Sequence, residues 1–220
     1  MGAYQSFEKN YEMINSLNVF PVPDGDTGTN MMHTMTSVAE ALTRMNDGDI
    51  GEVGQIAARS AVFGARGNSG VILSQLLYGI SKGLAGKAAA TNNEIGKAFQ
   101  YGILYAYRAV SKPVEGTILT VARSMAKGAR DAVRGGLDFR NVLQEAIDAG
   151  RKELARTPEL LPVLREAGVV DAGGQGLIVF CEGCLAAPTG EAIPKEEAAV
   201  PKKVSVDLAA EEFNIEYPYC

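Results

Sequence analysis

Apolar residues recur at three-to-four spacing along most of this chain. Segments near residues 29–45, 51–63, 69–84, 92–111, 115–134, 138–156 and 173–187 each carry such a stripe, and the spacing predicts an amphipathic helix in each. Between Asn92 and Tyr107, for example, Ile95, Ala98, Phe99, Gly102, Ile103 and Ala106 fall on one face. Ala and Gly are plentiful on these faces, which lets helix axes approach closely. No alternating strand pattern competes with them. Met1-Gly2-Ala3-Tyr4 begins inside what is expected to be the first helix, as if cut from a longer protein.

Composition narrows the class. With 220 residues, 46% of them hydrophobic, the chain can build one substantial core, and 21% charged residues with a net charge of −5 are ordinary for a soluble protein. No basic block exceeds isolated pairs such as Lys202-Lys203, so nucleic acid is not an expected partner. No secretory leader and no bilayer-length apolar run are visible, and the cytoplasm is the expected location. Cys181-Glu182-Gly183-Cys184 is a lone pair of cysteines in an apolar helical run, better explained by packing than by redox or zinc chemistry. The expected organisation is a domain over 1–187, a Pro-, Lys- and Glu-containing linker over 188–206 and the start of a further domain over 207–220.

Chemistry concentrates in the loops that open the helices. In Asn18-Val19-Phe20-Pro21-Val22-Pro23-Asp24-Gly25-Asp26-Thr27-Gly28-Thr29-Asn30, two prolines stiffen the approach to two carboxylates one residue apart. Asp24 and Asp26 are hard oxygen ligands suited to Mg²⁺, and the helix that follows presents an anion-attracting N-terminus. The same Asp-Gly-Asp-Thr-Gly string is also good turn chemistry with an Asp or Thr N-cap. The apolar flank argues for a loop pressed on the core, where two acids need a cation or hydrogen bonds to offset their repulsion.

Three further openings follow. Gly64-Ala65-Arg66-Gly67-Asn68-Ser69-Gly70 precedes an apolar run and suits a phosphate loop, although glycines three apart equally mark close helix packing. Pro113-Val114-Glu115-Gly116-Thr117-Ile118-Leu119-Thr120 and Gly168-Val169-Val170-Asp171-Ala172-Gly173-Gly174-Gln175-Gly176 have the same small, polar character. The P-loop pattern fails twice, because Gly86-Lys87 is followed by Ala88 and the first glycine position holds Ser81. The protein-kinase motifs are absent as well. Any nucleotide site therefore uses another fold.

These four stretches, in this order, closely resemble the nucleotide-binding domain of the bacterial fatty acid kinases, relatives of the ADP-binding L domain of dihydroxyacetone kinase. The resemblance spans about residues 3–187, with Leu17 to Met31 and Ala65 to Gln75 its most specific parts. It implies an all-α, antiparallel, barrel-like bundle of about eight helices, with ATP or ADP and two Mg²⁺ in the loops at one end. Asp24 and Asp26 match metal-ligating, catalytic aspartates. The dihydroxyacetone kinase branch has a third aspartate upstream; here Asn18 or Val19 stands there, and Asn18 is the expected third ligand through its amide oxygen. Thr27, Gly28 and Asn30 belong to the first nucleotide loop, and Gly67, Asn68, Ser69 and Gly70 match the phosphate loop. Thr117 matches a nucleotide-contacting threonine, Ile118 packs on the adenine, and Asp171 matches the acid of the last loop. Thr27 replaces a histidine of the dihydroxyacetone branch, which places the chain with the fatty acid kinases.

The activity so implied is phosphorylation of a fatty acid carboxylate, presented by a separate acyl-carrying lipid-binding protein, to give acyl phosphate for phospholipid synthesis. A carboxylate is already nucleophilic at neutral pH and needs no general base, so His33, the only histidine, is left outside the catalytic set. A polyol or ketose kinase subunit and a non-catalytic ADP-binding module that docks a partner are the alternatives. The segment from Phe213 to Cys220 resembles the first strand of the next fatty acid kinase domain, expected to be disordered or docked on a neighbouring chain. Downstream domains of a longer chain are expected partners, and a homodimer is compatible with the sequence.

Overall fold

The computed structural model describes residues 1–187; the expected linker and the start of a further domain lie outside the described residues. The described residues form helices and no strands: α1 (Gly2–Ser16), α2 (Thr27–Thr43), α3 (Ile50–Gly64), α4 (Gly67–Leu84), α5 (Asn92–Arg108), α6 (Ile118–Arg134), α7 (Phe139–Leu160), the short α8 (Pro162–Ala167) and α9 (Ala172–Ala186). Each helix packs on its neighbour in sequence from α1 to α7, α7 packs on α9, and α9 returns to α1. The eight long helices thus close an antiparallel ring, with α8 as an extra turn between α7 and α9.

The apolar stripes face inward as their spacing requires. Phe7, Ile14, Met31, Leu73, Ile147 and Ile178 are fully buried in one cluster contributed by five different helices. On α5, Ala98, Gly102 and Ala106 are buried. The ring closes at Gly183 of α9, where a Cβ would stand 2.6 Å from the Gly2 carbonyl oxygen and 2.7 Å from Ala3 Cα. Only a residue without a side chain lets α1 and α9 come this near.

Two elements depart from the sequence expectation. The periodic pattern predicts that the segment from 138 stops at 156, yet α7 continues to Leu160 with Pro158 inside it. Proline removes the N–H that would serve the Leu154 carbonyl. Thr157 Oγ1 donates to that carbonyl at 2.7 Å instead, so the last turn survives. The six residues of α8 are too few to show a stripe, and Pro162 at its first turn is its only strong signal.

Antiparallel alternation has a topological consequence. The connections over residues 17–26, 65–66, 109–117 and 161–171 all fall at one end, and those between α2 and α3, α4 and α5, and α6 and α7 at the other. The four motif stretches are therefore brought together from across the sequence, and the N-termini of α2, α4, α6 and α9 all point to that end.

Candidate functional site

At this end lies a cavity of about 310 Å³. Of the residues expected at the site, Asn18, Asp24, Asp26, Thr27 and Asn30 line it from the first loop and α2, and Gly67, Asn68 and Ser69 from α4. Thr117, Ile118 and Asp171 complete the set. Gly28 and Gly70 are not on the cavity wall. Gly28 is packed against the Tyr11 carbonyl of α1, and a Cβ on Gly70 would sit 2.6 Å from Thr34 Oγ1 of α2. Both glycines pack helix against helix in this geometry.

The two ends of the ring are capped differently. At the far end the starts of α3 and α5 carry capping boxes, Asp49 with Glu52 and Thr91 with Glu94, and α7 is capped by Asp138. At the cavity end α2, α4 and α6 make no side-chain hydrogen bond from their own N-caps. For α2, residues outside the helix do that work, whereas α9 is capped by its own Asp171. Asn18 Oδ1 accepts the Thr27 N–H at 3.1 Å and the Thr27 hydroxyl at 2.6 Å, and Asn15 Oδ1 accepts the Thr29 N–H at 3.0 Å. Asn18 Nδ2 donates to Val22 O at 2.8 Å, which folds the proline-stiffened loop, including its cis Phe20–Pro21 bond, back over α2.

Asn18, the expected third metal ligand, is engaged with the start of α2 in this structure. Both lone pairs of its amide oxygen are occupied by Thr27, so ligating a metal would mean breaking the bonds that start α2. With the first turn of α2 held by asparagines, Asp26 is not needed as a cap. Its carboxylate instead meets that of Asp24, and burial together with the Asp26 charge and hydrogen bond raises the Asp24 pKa above the ordinary carboxylate value. Such a pair fits a divalent cation, whose charge would replace repulsion with attraction. The described residues hold no group of three or more His, Cys, Asp or Glu that could hold a metal ion.

Elsewhere the lining is fixed by backbone contacts. Thr117 Oγ1 donates to Val114 O at 2.8 Å within its own loop, and Ser69 Oγ approaches Thr27 O at 3.4 Å. Asn30 packs its side-chain amide on Gly67, whose φ of +57° favours glycine. Asp171 is buried and caps α9 by accepting the Gly174 N–H at 2.7 Å. Burial pushes its pKa up to about 7, against the pull of the Gly174 and Ile118 N–H groups.

Apolar contributors that the motif reading left out are Phe20, Pro21, Val22, Ile72, Val110 and Leu119, and the polar ones include Ser111 and Lys112. Ile72 on α4 and Val110 just after α5 are apolar positions where nothing in the sequence separates a cavity wall from core. His33 is exposed on α2 and is not among the lining residues. Burial raises the thiol pKa of Cys181, and that of Cys184 to about 11, as packing cysteines require. No described helix is long and apolar enough to cross a membrane.

Comparison with known proteins gives this geometry a family. The protein YloV of Bacillus subtilis is 48% identical over 192 residues, covering 87% of this chain and 35% of YloV. An uncharacterized protein of Staphylococcus aureus is 44% identical over 198 residues, 90% of this chain and 36% of that protein. The chain thus spans about a third of the length of the curated relatives it matches. In fold it resembles the dihydroxyacetone kinase from C. freundii crystallised with AMP-PNP and Mg²⁺, with a TM-score of 0.63 at 16% identity over 84% of this chain and 32% of the kinase chain. The model of the DAK2 domain matches residues 21–186, and the chain belongs to that family.

Proposed function

We propose that this domain binds ATP with Mg²⁺ in the cavity and transfers the γ-phosphoryl group to a fatty acid carboxylate presented by a separate lipid-binding protein, releasing ADP and an acyl phosphate for phospholipid synthesis. The observation that carries the nucleotide half is the convergence of four helix N-termini and two facing carboxylates on one cavity with an apolar wall. Helix N-termini attract the polyphosphate, and the apolar residues, Ile118 among them, accept a base. Asp24 and Asp26 would hold Mg²⁺, which when bound offsets the charge of the phosphates. The similarity to a kinase crystallised with AMP-PNP and Mg²⁺ supports the same assignment.

The acceptor follows from the sequence resemblance and from what the cavity offers. In the proposed transfer a carboxylate oxygen forms a bond to the γ-phosphorus as the bond to the ADP oxygen breaks, and no proton has to be removed from the acceptor. A cavity whose lining holds no histidine suits that chemistry better than an alcohol acceptor. The downstream parts of a longer chain and the acyl-carrying protein complete the reaction in this proposal, with the cytoplasm as its location.

Calorimetric titration of ATP with Mg²⁺, then with EDTA, tests the nucleotide half. Metal-dependent binding that falls by at least about tenfold in Asp26→Ala is expected, since even outer-shell changes at metal sites weaken affinity by this much. No binding to the folded chain would overturn it. For the acceptor, a full-length relative is assayed with an acyl-loaded carrier. Acyl phosphate formation is expected, whereas polyol-dependent ADP release without it would assign the site to an alcohol acceptor.

A further inference from the structure

The Asp171 carboxylate accepts the Gly174 N–H in the first turn of α9 at 2.7 Å, and it lies close enough to the Ile118 N–H at the start of α6 for that group to pull its pKa down. Its own N–H donates to Thr157 Oγ1 at 3.1 Å, and that hydroxyl is fastened to the Leu154 carbonyl that Pro158 cannot serve. A continuous path of hydrogen bonds therefore runs from the last turn of α7 through Asp171 to the N-terminus of α9, with the start of α6 alongside. The two helix starts also touch directly, since a Cβ on Gly173 would lie 3.2 Å from Ile118 Cβ.

We propose that Asp171 is a positioning residue of the cavity, which clamps the N-termini of α6 and α9 at the spacing a nucleotide polyphosphate requires without itself touching the nucleotide; this rests on the nucleotide-binding role proposed above. A carboxylate in contact with a polyphosphate would repel it, whereas a carboxylate turned onto two helix N-termini has part of its charge offset by their positive ends. The polyphosphate is then left with the donors of the surrounding first turns, held in place beforehand. Thr157 and Pro158 become part of the site from a distance, although neither lines the cavity.

The clamp is sensitive to protonation, because a protonated carboxyl turns one acceptor oxygen into a donor and one N–H loses its partner. Burial dominates the Asp171 pKa, with the two backbone N–H groups opposing it. The ionisable groups on the surrounding elements are Asp24 and Asp26 on the first loop, Lys112 on the α5–α6 loop, Arg123 paired with Glu115 at α6, and Arg156 paired with Glu153 on α7. None of these charges is among the causes of its shift.

The test compares Mg·ATP with Mg·tripolyphosphate, which has no nucleoside, by calorimetry from pH 5.5 to 8.5. Asp171→Asn is expected to weaken both by the same factor, at least about tenfold as for loss of a charged hydrogen bond, and to flatten the pH profile of binding. Thr157→Val, which removes the hydroxyl that holds Asp171, is expected to weaken both probes equally as well. In ¹⁵N-labelled wild-type protein the Ile118 and Gly174 amide resonances are expected to titrate together near pH 7. A loss confined to Mg·ATP would make Asp171 a nucleoside contact and overturn the proposal, as would unchanged affinity or independently titrating amides. Failure of the wild type to bind either probe would instead remove the nucleotide role, and the clamp's purpose with it.

Discussion

Arg123 holds Glu115 through two parallel hydrogen bonds, from Nη1 to Oε1 at 2.8 Å and from Nη2 to Oε2 at 2.7 Å. The same Glu115 Oε2 accepts Thr120 Oγ1 at 2.8 Å, and Thr120 Oγ1 accepts the Gly116 N–H at 2.9 Å. Arg123 also donates to the Tyr107 hydroxyl at 3.2 Å, so α5, α6 and the loop between them are tied at one point. That loop carries Val114 and Thr117 into the cavity. About half of each side chain in the ion pair is exposed, so Arg123→Ala should lower stability by only about 0–1 kcal/mol in urea unfolding. Nucleotide affinity should fall more visibly, and the Glu115→Arg, Arg123→Glu double exchange should recover part of it. Equal affinity in wild type and Arg123→Ala would show that the loop holds its shape without the pair.

The Asp24–Asp26 contact predicts that function and stability part company here. Asp26→Asn removes a like charge from beside Asp24, so the raised Asp24 pKa should move down, though not fully, because burial is its first cause. Carboxyl carbon shifts in a pH titration would register the move. Metal-dependent nucleotide binding should be lost while the melting temperature stays level or rises slightly.

Asp171 gives folding stability a pH dependence whose sign is set by its raised pKa. The folded value of about 7 exceeds the ordinary carboxylate value of 3.8, because burial costs the ionised form more than the two helix N-termini return to it. The contribution is complete below pH 4 and is lost as pH rises towards 7, by at most roughly 4 kcal/mol at 1.36 kcal/mol per unit. Asp171→Asn should flatten this slope and melt no lower than wild type at pH 8, even as it loosens the cavity. Urea unfolding at pH 5, 7 and 8 separates these effects, and a slope that persists in the variant would point to another group.

Closure of the ring should depend on Gly183. A Cβ there meets backbone atoms of Gly2 and Ala3 at 2.6 and 2.7 Å, and backbone cannot yield as a flexible side chain can. Overpacking of this kind typically costs about 1–3 kcal/mol, so Gly183→Ala should lower the urea midpoint and Gly183→Val more so. Unchanged midpoints would mean that α1 slides on α9 without loss.

Thr91 and Glu94 show how far local chemistry reaches. They start α5 with contacts three residues apart, and Lys87 adds a 2.6 Å ion pair that holds the Glu94 pKa down at about 2. Signals at such short range, like the apolar stripes, are legible in a sequence, and the helices they predict are present. Pro158 marks the limit. A proline in the last turn reads as a stop, and only the Thr157 hydroxyl beside it, folded back on Leu154 O, carries α7 further.

The amino-acid sequence by itself determined the helices, their alternation, the motif stretches and the resemblance to a nucleotide-binding family, because each depends on residues a few positions apart. Tertiary structure decided what those motifs do. It turned Gly28 and Gly70 into packing positions and Asn18 into a cap for α2, and it joined Asp171 to Ile118 across more than fifty residues of chain. It also placed Ile72 and Val110 on a cavity wall while they pack against the core. A side chain's partner across such a separation is fixed by how the ring of helices closes, and that closure is a property of all the packed faces together.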